Sequence, residues 1–222
     1  ILGTDEFGRD ILSRIIYGTR VSLLVSFIAV LIASIIGVPL GLIAGYYGGV
    51  LDNIISGAID IVIAYPAILV GMAIIVVLGP GAINVAYALA IVNIPQIARL
   101  VRSSVLVERE KMYILNAKSI GLRQRRIIIR HIFPNVLGPI IVQVSLTMGF
   151  AVILEAALSF LGLGAQPPLP SWGSMLSDSR GLMREAWWYS VFPGVAITVF
   201  VFGIYLFSNA ISKILDPTRS HL

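Results

Sequence analysis

Four runs without a single charged residue, Val21–Leu51, Ile61–Ala98, Ile132–Leu154 and Ala186–Ser212, most constrain what this chain can fold into. Each matches or exceeds the ~20 apolar residues that an α-helix needs to cross the hydrocarbon core of a bilayer. A soluble domain is about a quarter charged and breaks its apolar residues into short periodic runs. Here 58% of residues are hydrophobic and 12% charged, and mean hydropathy is +0.95. A membrane barrel would show ~10-residue segments of alternating polarity, which are absent. The expected fold class is all-α: a polytopic helical membrane protein with about five spans.

Charge is concentrated between spans. The stretch Arg99–Pro134 carries Arg99, Arg102, Arg109, Lys111, Lys118, Arg123, Arg125, Arg126 and Arg130 against two acids, Glu108 and Glu110. Lys and Arg in short loops resist translocation, so this loop is expected on the cytoplasmic side. The net charge of +5 then reflects topogenic loops and not a nucleic-acid surface, since no stacking aromatics are interleaved with the bases. The absence of cysteine excludes a disulfide framework and a thiolate metal site. The chain opens on Ile1 without a signal-peptide pattern, and its own beginning is expected to be missing.

Taken in order, residues 1–20 read as an external interfacial segment, with Ile11, Leu12, Ile15 and Ile16 at helical spacing and Asp10 or Thr4 as a cap. The transmembrane domain is expected over 21–222. Its first span runs from Val21 to about Gly45, where Gly37, Gly41 and Gly45 recur every four residues and leave one face open to a closely packed helix; Pro39 is expected to bend it. A second span is expected over about Ile54–Leu78, with Asp60 and the pair Tyr65-Pro66 inside it. Asp60 lies a few residues in from the loop, so it reads either as a snorkelling or helix-start carboxylate or as part of a pathway. After the turn Gly79-Pro80-Gly81, a third span covers about Ala82–Ala98. Asn93 and Gln96 make its later half polar and join Asp60 as pathway candidates. A cytoplasmic loop over 103–134 precedes a fourth span from Pro134 to about Leu158. An external re-entrant loop is expected over 162–188, with Trp172, Trp187 and Trp188 at headgroup level, and a final span over about Tyr189–Ile211. Five spans with the basic loop inside place the start outside and the tail, with Lys213 and Arg219, inside.

Catalytic chemistry is poorly supported. There is no Gly-Lys-Ser/Thr phosphate loop, no His-Glu-x-x-His and no Gly-x-Ser-x-Gly, and the histidines are His131 and His221 alone. Nor is there a series of intramembrane charges, so the energy for any transport is expected from another subunit. In the basic loop, Tyr113, Ala117 and Ile120 fall at i, i+4 and i+7 on one helical face beside Asn116, and Gly121 ends that helix. By spacing alone this is either a helix that docks into a soluble partner's groove or a solvated basic loop.

At these residues the chain resembles the inner-membrane permease subunits of ABC importers, of the dipeptide/oligopeptide/nickel type. Leu115-Asn116-Ala117, then Gly121, then His131-Ile132-Phe133-Pro134 occupy the register of that family's Glu-Ala-Ala signature; Ala117, Gly121 and Pro134 match it. Leu2–Leu23 resembles the segment before the second span of the C-type permease, Glu155–Leu176 resembles its external loop, and Leu215-Asp216-Pro217 matches in the tail. The resemblance implies a type I importer permease fold that lacks the family's first transmembrane helix, in a bacterial or archaeal inner membrane with a cytoplasmic C-terminus. It implies a non-enzymatic subunit forming half of a pathway for dipeptides or oligopeptides. The implied partners are a homologous permease in a heterodimer, two ATPase subunits, an extracytoplasmic substrate-binding protein facing Gln166–Ser190, and membrane lipid; nucleic acid is not among them. It implies no cofactor in this chain, ATP and Mg being bound by the ATPases. The helix Met112–Gly121 would couple to an ATPase through Tyr113, Asn116, Ala117, Ile120, Gly121 and Pro134. A secondary transporter or channel with a merely topogenic loop is the alternative.

Overall fold

Helix α1 (Ile11–Tyr47) starts at Asp10, whose carboxylate accepts the Ser13 amide at 2.8 Å, and continues for 37 residues through Pro39. In the computed structural model, which describes residues 2–215, the expected surface helix is therefore not separate: residues 11–20 are the first turns of α1. Gly18 does not break it but serves a close contact, since a Cβ there would lie 3.4 Å from the Ser171 backbone.

The second span differs from the straight helix expected from Ile54 to Leu78. Helices α2 (Gly49–Ile63) and α3 (Ala67–Leu78) meet at a break and are bent by 89°. Pro66 has no N–H and disfavours α-geometry in the residue before it, so the ladder stops there. Helix α4 (Ala82–Glu108) follows the turn at Gly79 and Gly81 and runs beyond the expected span end, so residues 103–108 of the predicted loop are helical. Helix α5 (Met112–Ser119) is short. Helix α6 (Gln124–Ile127), a π-turn (Ile128–Ile132) and helix α7 (Phe133–Phe160) then run on as one 37-residue rod, Gln124–Phe160. Pro134 offers no N–H to the preceding turn, and the hydrogen-bond register widens beside it. Helix α8 (Trp172–Asp178), a 3₁₀ turn (Ser179–Leu182) and helix α9 (Trp187–Leu215) complete the described chain. Asp216, Pro217 and Arg219 of the tail lie outside the described residues. Among the described residues, four helices are long and apolar enough to cross a membrane, and the bent pair makes a fifth span if counted as one.

The core is the seam between α1 and α4. A Cβ on Gly37 would sit 3.0 Å from the Ile94 carbonyl oxygen, one on Gly41 2.5 Å from that of Ala98, and one on Gly45 2.8 Å from that of Arg102. Each turn of α1 thus meets the next turn of α4, and the two helices run parallel in fixed register. Ala29 and Ala33, both fully buried, extend the stripe toward the other end. Lipid tails are as apolar as leucine, so the helices gain by close backbone approach and not by escaping water.

At the end opposite α5, residues 2–10 and 161–186 fold over the ends of the spans. Asp5 is buried and accepts from the Phe7 and Arg9 amides, from Arg9 Nε at 2.7 Å and from Arg14 at 2.6 Å. Burial would raise its carboxyl pKa, but these bonds outweigh burial and hold it below the usual value. Arg14 also reaches Asp178 of α8. Trp172, expected at headgroup level, is 2% exposed and packed within the chain: its indole N–H finds the Ile15 carbonyl at 3.2 Å and its backbone N–H finds Ser22.

The seam sets an order of tolerance. Overpacking a fitted contact costs ~1–3 kcal/mol. In thermal unfolding of the purified protein, Gly41→Ala should lower Tm most, Gly45→Ala less and Gly37→Ala least. Gly57→Ala, where a Cβ meets nothing within 4 Å, should not lower it. Equal losses at all four positions would contradict the seam.

Candidate coupling site

Helix α5 lies across the end of the bundle where α1 stops and α4 terminates. Its two sides differ. Ile114 and Ala117 are 0% and 6% exposed and enter the core with Val101, Val105, Ile127 and Ile132. Met112 and Ile120 are 71% and 77% exposed, and Asn116 is exposed beside them. This corrects the sequence reading that set Tyr113, Ala117 and Ile120 on one outward face. Ala117 pairs instead with Ile114 at i, i+3, and that inner stripe fixes the rotation of the helix.

Gly121 ends α5 by a paired hydrogen bond: its N–H reaches the Lys118 carbonyl at 3.0 Å, and the Leu122 N–H reaches that of Ala117 at 3.1 Å. Its φ of +75° suits glycine, while a Cβ would meet nothing within 4 Å, so a substitution meets backbone strain and no clash.

Five contacts fasten α5, and residues 109–111 just before it, to three spans. The Tyr113 hydroxyl donates to the Glu108 carboxylate at the end of α4 and accepts from the Asn135 amide of α7 at 3.2 Å. Lys111 Nζ also holds Glu108, at 2.7 Å. Burial, with the neighbouring Glu108 carboxylate, pushes the Tyr113 phenol up to about 12, so it stays neutral at physiological pH. The Arg109 guanidinium donates to the Gly45 carbonyl at 2.8 Å, placing a cation at the negative end of α1. The Lys118 ammonium stands 5.4 Å from the centre of the Tyr46 ring. Pro134 belongs to the same region: it starts α7 beside Asn135, whose amide also caps the His131 carbonyl at 2.5 Å.

The pathway candidates separate. Asp60 is not at a helix start; it lies one turn before the break and pairs with Arg99 at 2.6 Å. Gln96, half-buried, lines a cavity with Tyr65 and Arg99. Asn93 is fully buried, donates to the Leu89 carbonyl at 2.7 Å, and its carbonyl oxygen has no partner among the described residues. Sequence reasoning counted Arg99, Arg102 and Glu108 only as loop charges. The signal for the first two was their i, i+3 spacing on α4, opposite Asp60 and Asp52 on one neighbouring helix.

Tyr113→Phe deletes a part-buried hydrogen bond to a charged group, a loss of ~1.5–3 kcal/mol. Amide hydrogen exchange in α5 should speed up about tenfold or more while the α1–α4 seam stays protected. Unchanged protection in α5 would remove Tyr113 as its anchor.

Residues 37–221 match the family described as binding-protein-dependent transport system inner membrane component. The chain is 52% identical over 215 residues to the dipeptide transport system permease protein of Alkalihalophilus pseudofirmus, covering 97% of this chain and 71% of that protein. It is 48% identical over 217 residues to the dipeptide transport system permease protein of Escherichia coli, covering 98% and 72%. It is 44% identical over 216 residues to the glutathione transport system permease protein of Pectobacterium atrosepticum, covering 97% and 72%. In fold it is similar to a chain of the MetNI methionine ABC transporter in an inward facing conformation, with a TM-score of 0.79 at 17% identity, covering 93% of this chain and 98% of that one. The chain belongs to the family of binding-protein-dependent transport system inner membrane components.

Proposed function

We propose that this chain forms half of the translocation pathway of an ATP-driven importer for dipeptides and oligopeptides, and that α5 is the part a soluble ATPase subunit grips. The observation that carries this is the division of α5: an outward side of Met112, Asn116 and Ile120, and an inward side fastened to α1, α4 and α7. A helix built so can pass a push from a partner into three spans at once. The printed names of the relatives, dipeptide and glutathione permeases, support the substrate class.

On this reading a homologous permease supplies the other half, two ATPases bind ATP and Mg, and an extracytoplasmic protein delivers the solute to the end formed by residues 2–10 and 161–186. The α5 end and the C-terminus are cytoplasmic. Closure of the ATPase pair would draw two α5 helices together and shift the spans between inward and outward openings. Each state then has its own contacts, as a two-state coupling requires.

The test is co-purification of the full-length subunit from membranes, with mass spectrometry of its partners. A second permease and ATPases are expected; a lone subunit that still transports without ATP would replace the proposal with a secondary transporter. Ile120→Asp, at an exposed site, should leave thermal stability unchanged and weaken ATPase retention at least tenfold. Ala117→Asp should instead lower Tm, because it buries an unpaired carboxylate. Gly121→Trp should uncouple ATP hydrolysis from transport in the assembled complex, and normal coupling would count against α5 as the grip.

A further inference from the structure

The second span breaks at Ala64–Pro66, and non-helical backbone at membrane depth survives only against protein or a water-filled passage. Three features meet at this break. The first is a cavity of about 290 Å³ between the break and α4, lined by Tyr65, Ala67, Val92, Gln96 and Arg99. Its volume is at the lower end of small-molecule sites. The second is charge: Arg99, on the cavity wall, holds Asp60 at 2.6 Å, and their side chains are 55% and 63% exposed. Ionised side chains within a span turn toward protein or water, not toward hydrocarbon. The third is the backbone. Helix α2 ends here, and α3 begins here with no side chain capping its first amides, so a negative and a positive helix pole face the same break.

We infer that Asp60 and Arg99 are a zwitterion subsite of the translocation pathway, Asp60 receiving the α-ammonium group and Arg99 the α-carboxylate of a short peptide. In the empty protein the two side chains neutralise each other. A zwitterion opens that one ion pair and closes two, so no charge stands unpaired at either stage. An exposed pair is weakly held and parts readily. The uncapped start of α3 favours the carboxylate end of the solute, as half-helix starts do in transporters with broken spans. Gln96, one turn before Arg99, offers both a donor and an acceptor to the peptide bond.

The neighbouring pair behaves differently. Arg102 grips Asp52 through two bonds of 2.5 and 2.6 Å, and these side chains are only 32% and 14% exposed. That is a strut between α2 and α4, and it provides a control of the same chemistry.

This inference rests on the importer reading and adds where the solute is held. The test uses the full-length subunit purified in its membrane complex, in nanodiscs without binding protein, with equilibrium dialysis of radiolabelled dialanine, N-acetyl-dialanine and dialanine amide. The wild type should bind dialanine about tenfold or more tightly than either blocked form, the size expected for one charge-assisted contact. Asp60→Asn should abolish the preference for the free amino end alone, and Arg99→Gln the preference for the free carboxylate end alone, while Asp52→Asn keeps both. Retention of both preferences in the Asp60 and Arg99 variants would overturn the subsite. Equal weakening of all three ligands by either variant, or no binding by the wild type, would overturn it too. ATPase subunits are scored on the same preparation: their absence counts against the importer reading, whereas ATPases present without end-specific binding count against the subsite alone.

Discussion

Everything at the α5 end depends on how closely α1 can approach α4. Three glycines one turn apart let the α1 backbone reach the carbonyl oxygens of Ile94, Ala98 and Arg102. In a membrane, where burying apolar surface gains nothing over lipid, this close contact is what fixes the two helices in register. Because they run parallel, their ends arrive together. The last carbonyls of α1 then lie within reach of Arg109, and the Tyr46 ring lies under Lys118. Without the seam, α5 would have a partner in α4 but none in α1.

The other joints around α5 are polar, whereas the seam is steric. The Tyr113 hydroxyl sits between Glu108 and Asn135, and its neutral form is the one the site favours. Asp52 and Arg102 tie α2 to the same stretch of α4. These joints lie toward one end of the bundle, and the Asp5–Arg14–Asp178 chain of contacts lies at the other. Between them, α2 and α3 are thinly supported: Ile59 is the buried residue of α2, and Gly71 and Ile75 are those of α3. This bent span, with few buried residues of its own, lies beside the cavity.

Much of this was legible from local pattern. The span-length uncharged runs gave the class, and the four-residue glycine period announced a close helix contact, though not which helix would fill it. The reading of α5 failed at Ala117, since choosing Tyr113, Ala117 and Ile120 as one face passed over Ile114, which is more apolar than Tyr113 and pairs with Ala117 at i, i+3. The 89° break was signalled by Tyr65-Pro66, but a proline can be absorbed in a span, as Pro39 is in α1, and sequence alone does not say which will happen. Least legible were the long-range pairs. Asp60 with Arg99 and Arg109 with Gly45 join residues far apart in the chain, and only the packing of whole helices brings them together.

On the proposed function, a push on α5 passes into α1 and α4 only if the three helices move as one body. These 222 residues hold no cysteine, so spin labels placed at Ile35→Cys on α1 and Ser119→Cys on α5 compete with no thiol among them. The decisive measurement is the distance between these labels in the assembled transporter, with and without a non-hydrolysable ATP analogue. A single narrow distribution that stays the same in both conditions is the expected result. A shift of several ångströms on nucleotide binding would show that α5 moves independently of α1, and the seam would then not be the element through which α5 moves the spans.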